Sequence, residues 1–297
     1  MSLENYAQGW MIWIFASAVM LAFYDIVKKA SVRGNAVIPV LLISTLAGSS
    51  AYALALAAVG GLRDAAVATP HEHLLVAVKS LLAGSSWVFT FWALRTLPIT
   101  IATPIRASAP ALVFVVAFFM YGERPGLLQG VGMALVFVGY WAFAWAGRHE
   151  GIDFLRCRAV WLAICGMCFS AASALWDKFI LQKCAIPPTR VQLWFQIGLV
   201  VIYVVLFASL RLSRVNHDRF EWRWTIPLTG VLLAVADYLY FHGLALPDVH
   251  ISVASLLRRF SVVISFVVGA MVFHERNLRR KGLALASVLV GIALICL

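Results

Sequence analysis

The stretch ITIATPIRASAPALVFVVAFFMYGERPGLLQGVG, residues 99–132, returns in altered form as ISVASLLRRFSVVISFVVGAMVFHERNLRRKGLA, residues 251–284. The two copies align without a gap at an offset of 152 residues. This offset also relates four pairs of identical charged residues: Asp25 and Asp177, Arg106 and Arg258, Glu123 and Glu275, and Arg124 and Arg276. These matches carry weight because charged residues make up only 12% of the chain. The sequence therefore predicts two related halves.

The composition indicates a protein that lies in a membrane. Hydrophobic residues make up 63% of the chain and the mean hydropathy is +0.91, which leaves too little polar surface for a soluble globule. A helix needs about 20 apolar residues to cross a hydrocarbon core of roughly 30 Å. Ten segments have about this length: 10–30, 36–60, 74–95, 98–121, 127–146, 159–182, 190–210, 225–246, 249–273 and 281–297. We expect an all-α polytopic membrane protein with ten transmembrane helices.

The ten predicted crossings divide equally between the two halves. The first half is residues 1–147, a short polar connection follows at 148–158, and the second half is residues 159–297. Because five is an odd number, the second half enters the membrane from the opposite side. The pattern therefore predicts two inverted five-helix repeats, related by an axis in the bilayer plane, which is how many secondary transporters build a central substrate site.

The basic residues predict the orientation and exclude one class of partner. Fifteen Lys and Arg lie on the side opposite the N-terminus and five on the N-terminal side, which places both termini outside the cytoplasm by the positive-inside rule. The net charge of +11 comes from helix ends and is not accompanied by a nucleic-acid-binding motif. We therefore expect no nucleic acid partner.

Three charged residues fall at hydrocarbon depth, where each costs roughly 2.5–3.5 kcal/mol on insertion scales. Arg106 and Arg258 lie at matching depths of the fourth and ninth crossings, and Asp237 lies near the middle of the eighth. In one interpretation the arginines bind an anionic solute group through bidentate hydrogen bonds. In the other, Asp237 forms a salt bridge with Arg258 or Arg259 that only holds helices together.

Asp25 and Asp177 lie at matching positions towards the ends of the first and sixth crossings. A buried carboxylate can carry a proton and couple its movement to that of a solute. The alternative is an ion pair within one helix, since Lys28 and Lys29 follow Asp25 by three and four residues and Lys178 directly follows Asp177. Both interpretations stand at this stage.

Aromatic residues are concentrated in the third and eighth crossings. They are Trp87, Phe89, Phe91 and Trp92 in the third, and Tyr238, Tyr240 and Phe241 in the eighth. Trp87 and Tyr238 are candidates for the lining of a pocket for an organic solute, with helix packing as the alternative.

Motifs of enzymes and cofactor-binding proteins do not occur in the chain. It contains no GxSxG, HExxH or Walker sequence, and Cys165 and Cys168 lie within an apolar segment without nearby histidines. We expect no catalytic residue, no metal and no cofactor, and an enzyme is a distant alternative.

The segment from Trp92 to Gly139, with LRTLPITIATPIRASAPALVFVVAFFMYGERPGLLQGVG (94–132) at its centre, resembles the EamA-type repeat of the drug/metabolite transporter superfamily. In that repeat a helix rich in proline and small residues ends in a Gly-Glu-Arg turn. The second copy is similar, with His274 at the position of Gly122. The resemblance implies a ten-helix inverted-repeat transporter of the bacterial inner membrane, with its cavity between the halves. It also implies termini in the cytoplasm, the reverse of what the charge count predicts.

Taken together, these features predict a secondary active transporter that exports small metabolites, such as amino acids or other organic anions and zwitterions, by alternating access. Its partners would be a small-molecule solute and the lipid bilayer, and it would be a monomer or a homodimer. A multidrug efflux carrier is the first alternative, although Arg106 and Arg258 would repel cationic drugs. A membrane enzyme or a scaffold is the second.

Overall fold

The computed structural model describes residues 9–32, 34–96, 109–122, 124–146, 157–212, 219–261, 264 and 278–296. Over these residues the chain forms helices and no strand. The helices are α1 (Gly9–Val32), α2 (Val37–Ala58), α3 (Leu62–Ala66), α4 (Pro70–Thr96), α5 (Ala109–Tyr121), α6 (Leu127–Ala146), α7 (Arg158–Lys178), α8 (Pro188–Leu212), α9 (Thr225–Ala245), α10 (Ile251–Arg258) and α11 (Leu278–Cys296). A π-helical turn, Phe179–Lys183, continues α7.

Six segments within the described ranges are long and apolar enough to cross a membrane. They are α1, α2, Pro70–Thr90 of α4, α7 with its π-helical turn, α8 and α9. Shorter apolar stretches occur in α5 and α6, at Leu112–Tyr121 and Leu127–Gly139. The all-helical membrane class predicted from the sequence is confirmed, and the number of ten crossings stays a prediction.

The chain forms two compact units that differ from the two halves of the sequence. Unit 1 contains Met1–Gly84 and Asp177–Pro247, and unit 2 contains Ser85–Trp176 and Asp248–Leu297. Each unit therefore combines segments from both halves. The helices α4 and α7 contribute residues to both units, because the divisions fall within them.

Unit 1 is held together by close contacts of α9 with α1 and α2. The Ser17 hydroxyl in α1 donates a hydrogen bond of 2.6 Å to the Ala236 carbonyl in α9. A Cβ atom added to Gly48 of α2 would lie 2.5 Å from the carbonyl oxygen of Gly230, so the two backbones touch at these glycines. Small residues permit this approach, and packing replaces the hydrophobic effect as the force between helices in lipid.

Unit 2 contains the paired helices α6 and α11, and α5 packs on α10. A Cβ atom added to Gly291 of α11 would lie 2.5 Å from the carbonyl oxygen of Gly132 in α6. The Ser287 hydroxyl donates a hydrogen bond of 2.9 Å to the carbonyl of Leu135. In the same unit the Ser86 hydroxyl of α4 donates to the Gly166 carbonyl of α7 at 2.8 Å.

The buried side chain of Asn35 joins the α1–α2 connection to the segment that precedes α9. Its Nδ2 donates to the Glu221 carbonyl at 2.7 Å, and its Oδ1 accepts from the Glu221 amide at 2.9 Å. The same Oδ1 accepts from the Ala36 amide at 2.8 Å. One amide side chain therefore satisfies both polar groups of a distant residue's backbone.

We expect Asn35→Ala to destabilise the protein by about 1–3 kcal/mol, because it leaves the backbone groups of Glu221 without their partner. Asn35→Asp keeps the acceptor but loses the donor and adds a negative charge beside the Glu221 carbonyl, so it should destabilise the protein as well. Thermal unfolding of the purified protein in detergent measures both variants. Equal stability of Asn35→Ala and the unmodified protein would contradict the role of this side chain.

Candidate functional site

A buried ion pair joins α4 to the end of α7 within unit 1. Lys79 Nζ lies 2.8 Å from Oδ2 and 2.8 Å from Oδ1 of Asp177. The side chains are 6% and 3% exposed, so both charges are removed from the surroundings of the protein. Both residues lie within helices that can cross a membrane. Charged residues inside membrane-spanning helices usually mark functional sites, so this pair is a candidate site.

Two aromatic rings lie beside the Lys79 ammonium group. Its Nζ lies 5.0 Å from the ring centre of Phe195 in α8 and 5.7 Å from that of Phe241 in α9. The two rings meet edge to face, with centres 5.9 Å apart. Side chains from α4, α7, α8 and α9, all within unit 1, thus surround this ammonium group. The negative faces of the rings favour a cation at this position.

Contacts at the first turn of α4 hold this helix, and with it Lys79, in position relative to α8. Thr69 and Glu72 form a capping box: the Thr69 amide donates to Glu72 Oε2 at 2.7 Å, and the Glu72 amide donates to Thr69 Oγ1 at 3.3 Å. Pro70, whose missing N–H costs nothing there, occupies the first helical position. Arg190 at the start of α8 binds Glu72 Oε1 at 2.6 Å, which aligns the two helix starts.

The contact between α4 and α8 continues one residue after Lys79. The Ser80 hydroxyl donates to the carbonyl of Phe195 at 3.3 Å, and a Cβ atom on Gly198 would collide with the Ser80 side chain. The glycine therefore permits the close approach of α8 that sets the Phe195 ring beside the ammonium group.

Asp177 lies just before an irregular turn of the backbone. The residues Phe179–Lys183 form a π-helical turn, and the Cys184 amide donates to the Phe179 carbonyl at 3.0 Å. Turns of this type widen a helix by one residue and are frequent at functional sites.

Two buried glutamines add polarity to the face of α8 on which Phe195 lies. Gln192 is 0% and Gln196 is 5% exposed, and Gln192 Nε2 donates to the Ala234 carbonyl of α9 at 2.6 Å. The Oε1 atom of each has no hydrogen-bond donor within the part of the chain that the structure describes. Buried acceptors of this kind usually have a partner such as a water molecule or a ligand.

Asp237, predicted from the sequence as a site residue, is buried on α9 of the same unit. It lies three residues after Ala234 and four before Phe241, so it shares the helix face that contacts Gln192 and Lys79. The structure therefore brings Asp237 and Asp177 into one unit with the buried lysine. The salt bridge predicted between Asp237 and Arg258 or Arg259 stays a prediction.

The two predicted solute-binding arginines are placed unequally. Arg258 is half-buried at the last position of α10 in unit 2, where a cation also favours the negative end of a helix. Arg106 lies outside the described residues. The role of both in solute binding stays a prediction.

Tyr238 belongs to a cluster of rings from three helices of unit 1. Its ring centre lies 4.0 Å from that of His242, and 6.4 Å from those of Trp13 in α1 and Tyr52 in α2. Trp87 is half-buried in unit 2, where the nearby Phe89 stacks on Phe169 with ring centres 5.6 Å apart. The rings pack on each other, and lining of a pocket by Trp87 and Tyr238 stays a prediction.

The two repeat-related aspartates differ in their surroundings. Asp177 forms an ion pair with Lys79, which lies on a different helix. Asp25 is half-buried and has no ion-pair partner among the side chains that the structure describes. Lys28, its expected partner, lies with Nζ 5.1 Å from the ring centre of Tyr24. Any coupling role of the two aspartates stays a prediction.

Sequence reasoning missed Lys79, although one signal was present. The residue lies within the apolar segment 74–95, yet the charge count assigns it to the N-terminal side. A search for matched charges also passes over it, because the offset of 152 aligns Lys79 with Val231. Lys79 could have been found by the criterion that identified Arg106, which is a charged residue several positions inside an apolar segment.

Comparison with known proteins supports the interpretation of the fold. A solved crystal structure of a protein matches with a TM-score of 0.76 and 16% sequence identity, covering 97% of this chain and 98% of the other. Its low identity makes it evidence for the fold alone. No curated protein matches the chain.

The family comparison concerns the first half of the chain. Residues 8–145 match the model of the EamA-like transporter family, which lies within the drug/metabolite transporter superfamily. This range contains the proline-rich segment, the Gly-Glu-Arg turn and Lys79. Residues 8–145, somewhat less than half of the chain, are therefore similar to the EamA-like transporter family, a family of membrane transporters.

Proposed function

We propose that this protein is a secondary transporter that exports small organic anions or zwitterions, such as amino acids, across the bacterial inner membrane. The observation that carries the proposal is the ion pair of Lys79 with Asp177, buried within helices of membrane-spanning length. A protein with only a scaffolding role gains little from such a pair, since apolar side chains of similar volume hold helices together at lower cost. A solute pathway explains why charge is retained at this depth.

Ten crossings in two inverted repeats form part of the proposal, and one contact supports it. The Ser287 hydroxyl donates to the Leu135 carbonyl at 2.9 Å, and these residues are related by the repeat offset of 152. Residues related by a two-fold axis touch each other only beside that axis. The contact between α6 and α11 is therefore the one expected where a pseudo-two-fold axis passes. Alternating access would then exchange the roles of the two repeats.

Arg106 and Arg258 are proposed to bind the anionic group of the solute, and Asp25 and Asp177 to take part in coupling. The proposal rests on the scarcity of charge in the chain and on the matching positions of these residues in the repeat. The planar guanidinium groups of the arginines suit a carboxylate or a phosphate.

Transport can be tested directly with the purified protein in liposomes. The liposomes are loaded with a mixture of amino acids and organic acids, and the loss of each compound is followed by mass spectrometry. A transporter releases at least one compound unchanged and faster than protein-free liposomes do. Chemical conversion of a compound would indicate an enzyme, and retention of all compounds would leave a scaffold.

We expect Arg258→Lys to lower the rate of transport about tenfold while protein stability stays near that of the unmodified protein, because lysine keeps the charge but loses the bidentate geometry. Arg106→Lys should have a similar effect. Arg124→Lys, in the predicted turn between crossings, is the control and should transport at the normal rate. Normal transport by both Arg106→Lys and Arg258→Lys would refute the binding role.

A further inference from the structure

The Lys79 ammonium group lies in surroundings of a kind that bind organic cations. Its Nζ is 2.8 Å from both carboxylate oxygens of Asp177 and faces the rings of Phe195 and Phe241 at 5.0 and 5.7 Å. A carboxylate supplies the opposite charge and accepts hydrogen bonds, while the ring faces supply negative potential without a charge. The cation is thus attracted by groups from three different helices.

All four residues of this group are almost fully buried. The exposed fraction of the whole residue, backbone included, is 5% for Lys79, 2% for Asp177, 3% for Phe195 and 1% for Phe241. Water does not compete at such a position, so the electrostatic and cation–π attractions are stronger than they would be at a surface.

The walls of this site suit an ammonium group better than a metal cation. Two of them are carbon rings, whereas Na⁺ and other hard cations prefer several oxygen ligands. An ammonium group can donate hydrogen bonds to the carboxylate and place its remaining surface against the rings. A quaternary ammonium ion has no N–H to donate and is too wide for an N···O distance of 2.8 Å.

We propose that Asp177, Phe195 and Phe241 form an ammonium-binding site that the chain's own Lys79 occupies, and that a small primary alkylammonium ion binds there when the lysine side chain is removed. The three walls belong to α7, α8 and α9, while the lysine reaches in from α4. The site therefore outlasts the loss of the lysine, since each wall residue is held by its own helix. The inference does not depend on transport.

The test uses the variant Lys79→Ala and propylammonium chloride, which replaces the three methylene groups and the nitrogen that alanine lacks. Thermal unfolding in detergent is measured with and without the compound, against NaCl and tetramethylammonium chloride at equal concentration. At ten times its Kd, propylammonium should raise the Tm of Lys79→Ala by about 3 °C through binding to the folded state. The unmodified protein should not respond, because Lys79 fills the site.

The double variant Lys79→Ala/Asp177→Asn is the matched control, because it has the same space but lacks the carboxylate. A response of Lys79→Ala alone supports the proposal. An equal response of the double variant, an equal response to NaCl or tetramethylammonium, or no response of Lys79→Ala at saturating propylammonium would overturn it.

If Lys79→Ala does not accumulate, expression of the two variants decides the matter. The proposal attributes the harm to a carboxylate that has lost its cation, so Lys79→Ala/Asp177→Asn should accumulate near the normal level. Failure of both variants to accumulate would overturn the proposal, because the defect would then lie in packing and not in the lost cation.

Discussion

Asp177→Ala is expected to destabilise the protein by about 3–5 kcal/mol, which is the usual loss when one partner of a buried ion pair is removed. The lysine that remains, Lys79, is buried and loses the carboxylate that lies 2.8 Å from its Nζ. The cost arises from this uncompensated charge more than from the loss of the attraction itself. The double variant Asp177→Ala/Lys79→Met should therefore regain most of the stability.

The matched control is Asp25→Ala, at the equivalent position of the repeat. Asp25 is half-buried and has no ion-pair partner among the described side chains, so its loss should change stability by less than about 1 kcal/mol. Unfolding of the purified variants in micelles with increasing SDS content measures the difference. Similar losses for Asp25→Ala and Asp177→Ala would show that the two aspartates are equivalent and contradict the structure.

Gly230→Ala is expected to have the second large effect, a loss of about 1–3 kcal/mol from overpacking. A Cβ atom at this position would collide with the carbonyl group of Ser44, which belongs to the backbone of α2. A backbone cannot rotate away as a side chain can, so α2 and α9 must separate along their contact. The same strain is expected from Gly48→Ala, whose Cβ atom would lie 2.5 Å from the Gly230 carbonyl oxygen.

Gly130→Ala is the control for this prediction. Gly130 is helical, and a Cβ atom added there would have no described atom within 4 Å outside its own helix turn. Alanine therefore fits, and its higher helix propensity should leave stability unchanged or slightly raised. The Tm in detergent and the yield of monodisperse protein measure both variants. A larger loss for Gly130→Ala than for Gly230→Ala would reverse the assignment of the close helix contact.

These glycines also differ in whether the repeat pattern points to them. The repeat matches Gly130 with Gly282, and this match draws attention to Gly130 although it faces open space among the described residues. Gly48 and Gly230 have valines at their repeat positions, Val200 and Val78, and so give no signal. A repeat records shared ancestry of two segments. It does not record which helix lies next to which.

The sequence alone determined that this is an all-helical membrane protein and that its first half resembles a known transporter family. Membrane location follows from the apolar composition and from the length of the apolar segments. Such segments are helical because in lipid a helix satisfies the hydrogen bonds of their backbone. The resemblance to the EamA-type repeat is confirmed by the family match over residues 8–145. These properties are local or compositional, so they can be recognised without knowledge of any long-range contact.

Only the tertiary structure decided how the buried charges are paired. The sequence presents Asp25 and Asp177 as equivalent and offers each a lysine on its own helix, Lys28 or Lys178. The structure pairs Asp177 with Lys79, separated from it by 98 positions, and gives Asp25 no comparable partner among the described residues. Which charged residues form a pair depends on which helices pack together and on how far each is shifted along its axis. Both are determined by close contacts such as that of Ser80 with Gly198. Such contacts join segments far apart in the chain, so no local pattern contains them.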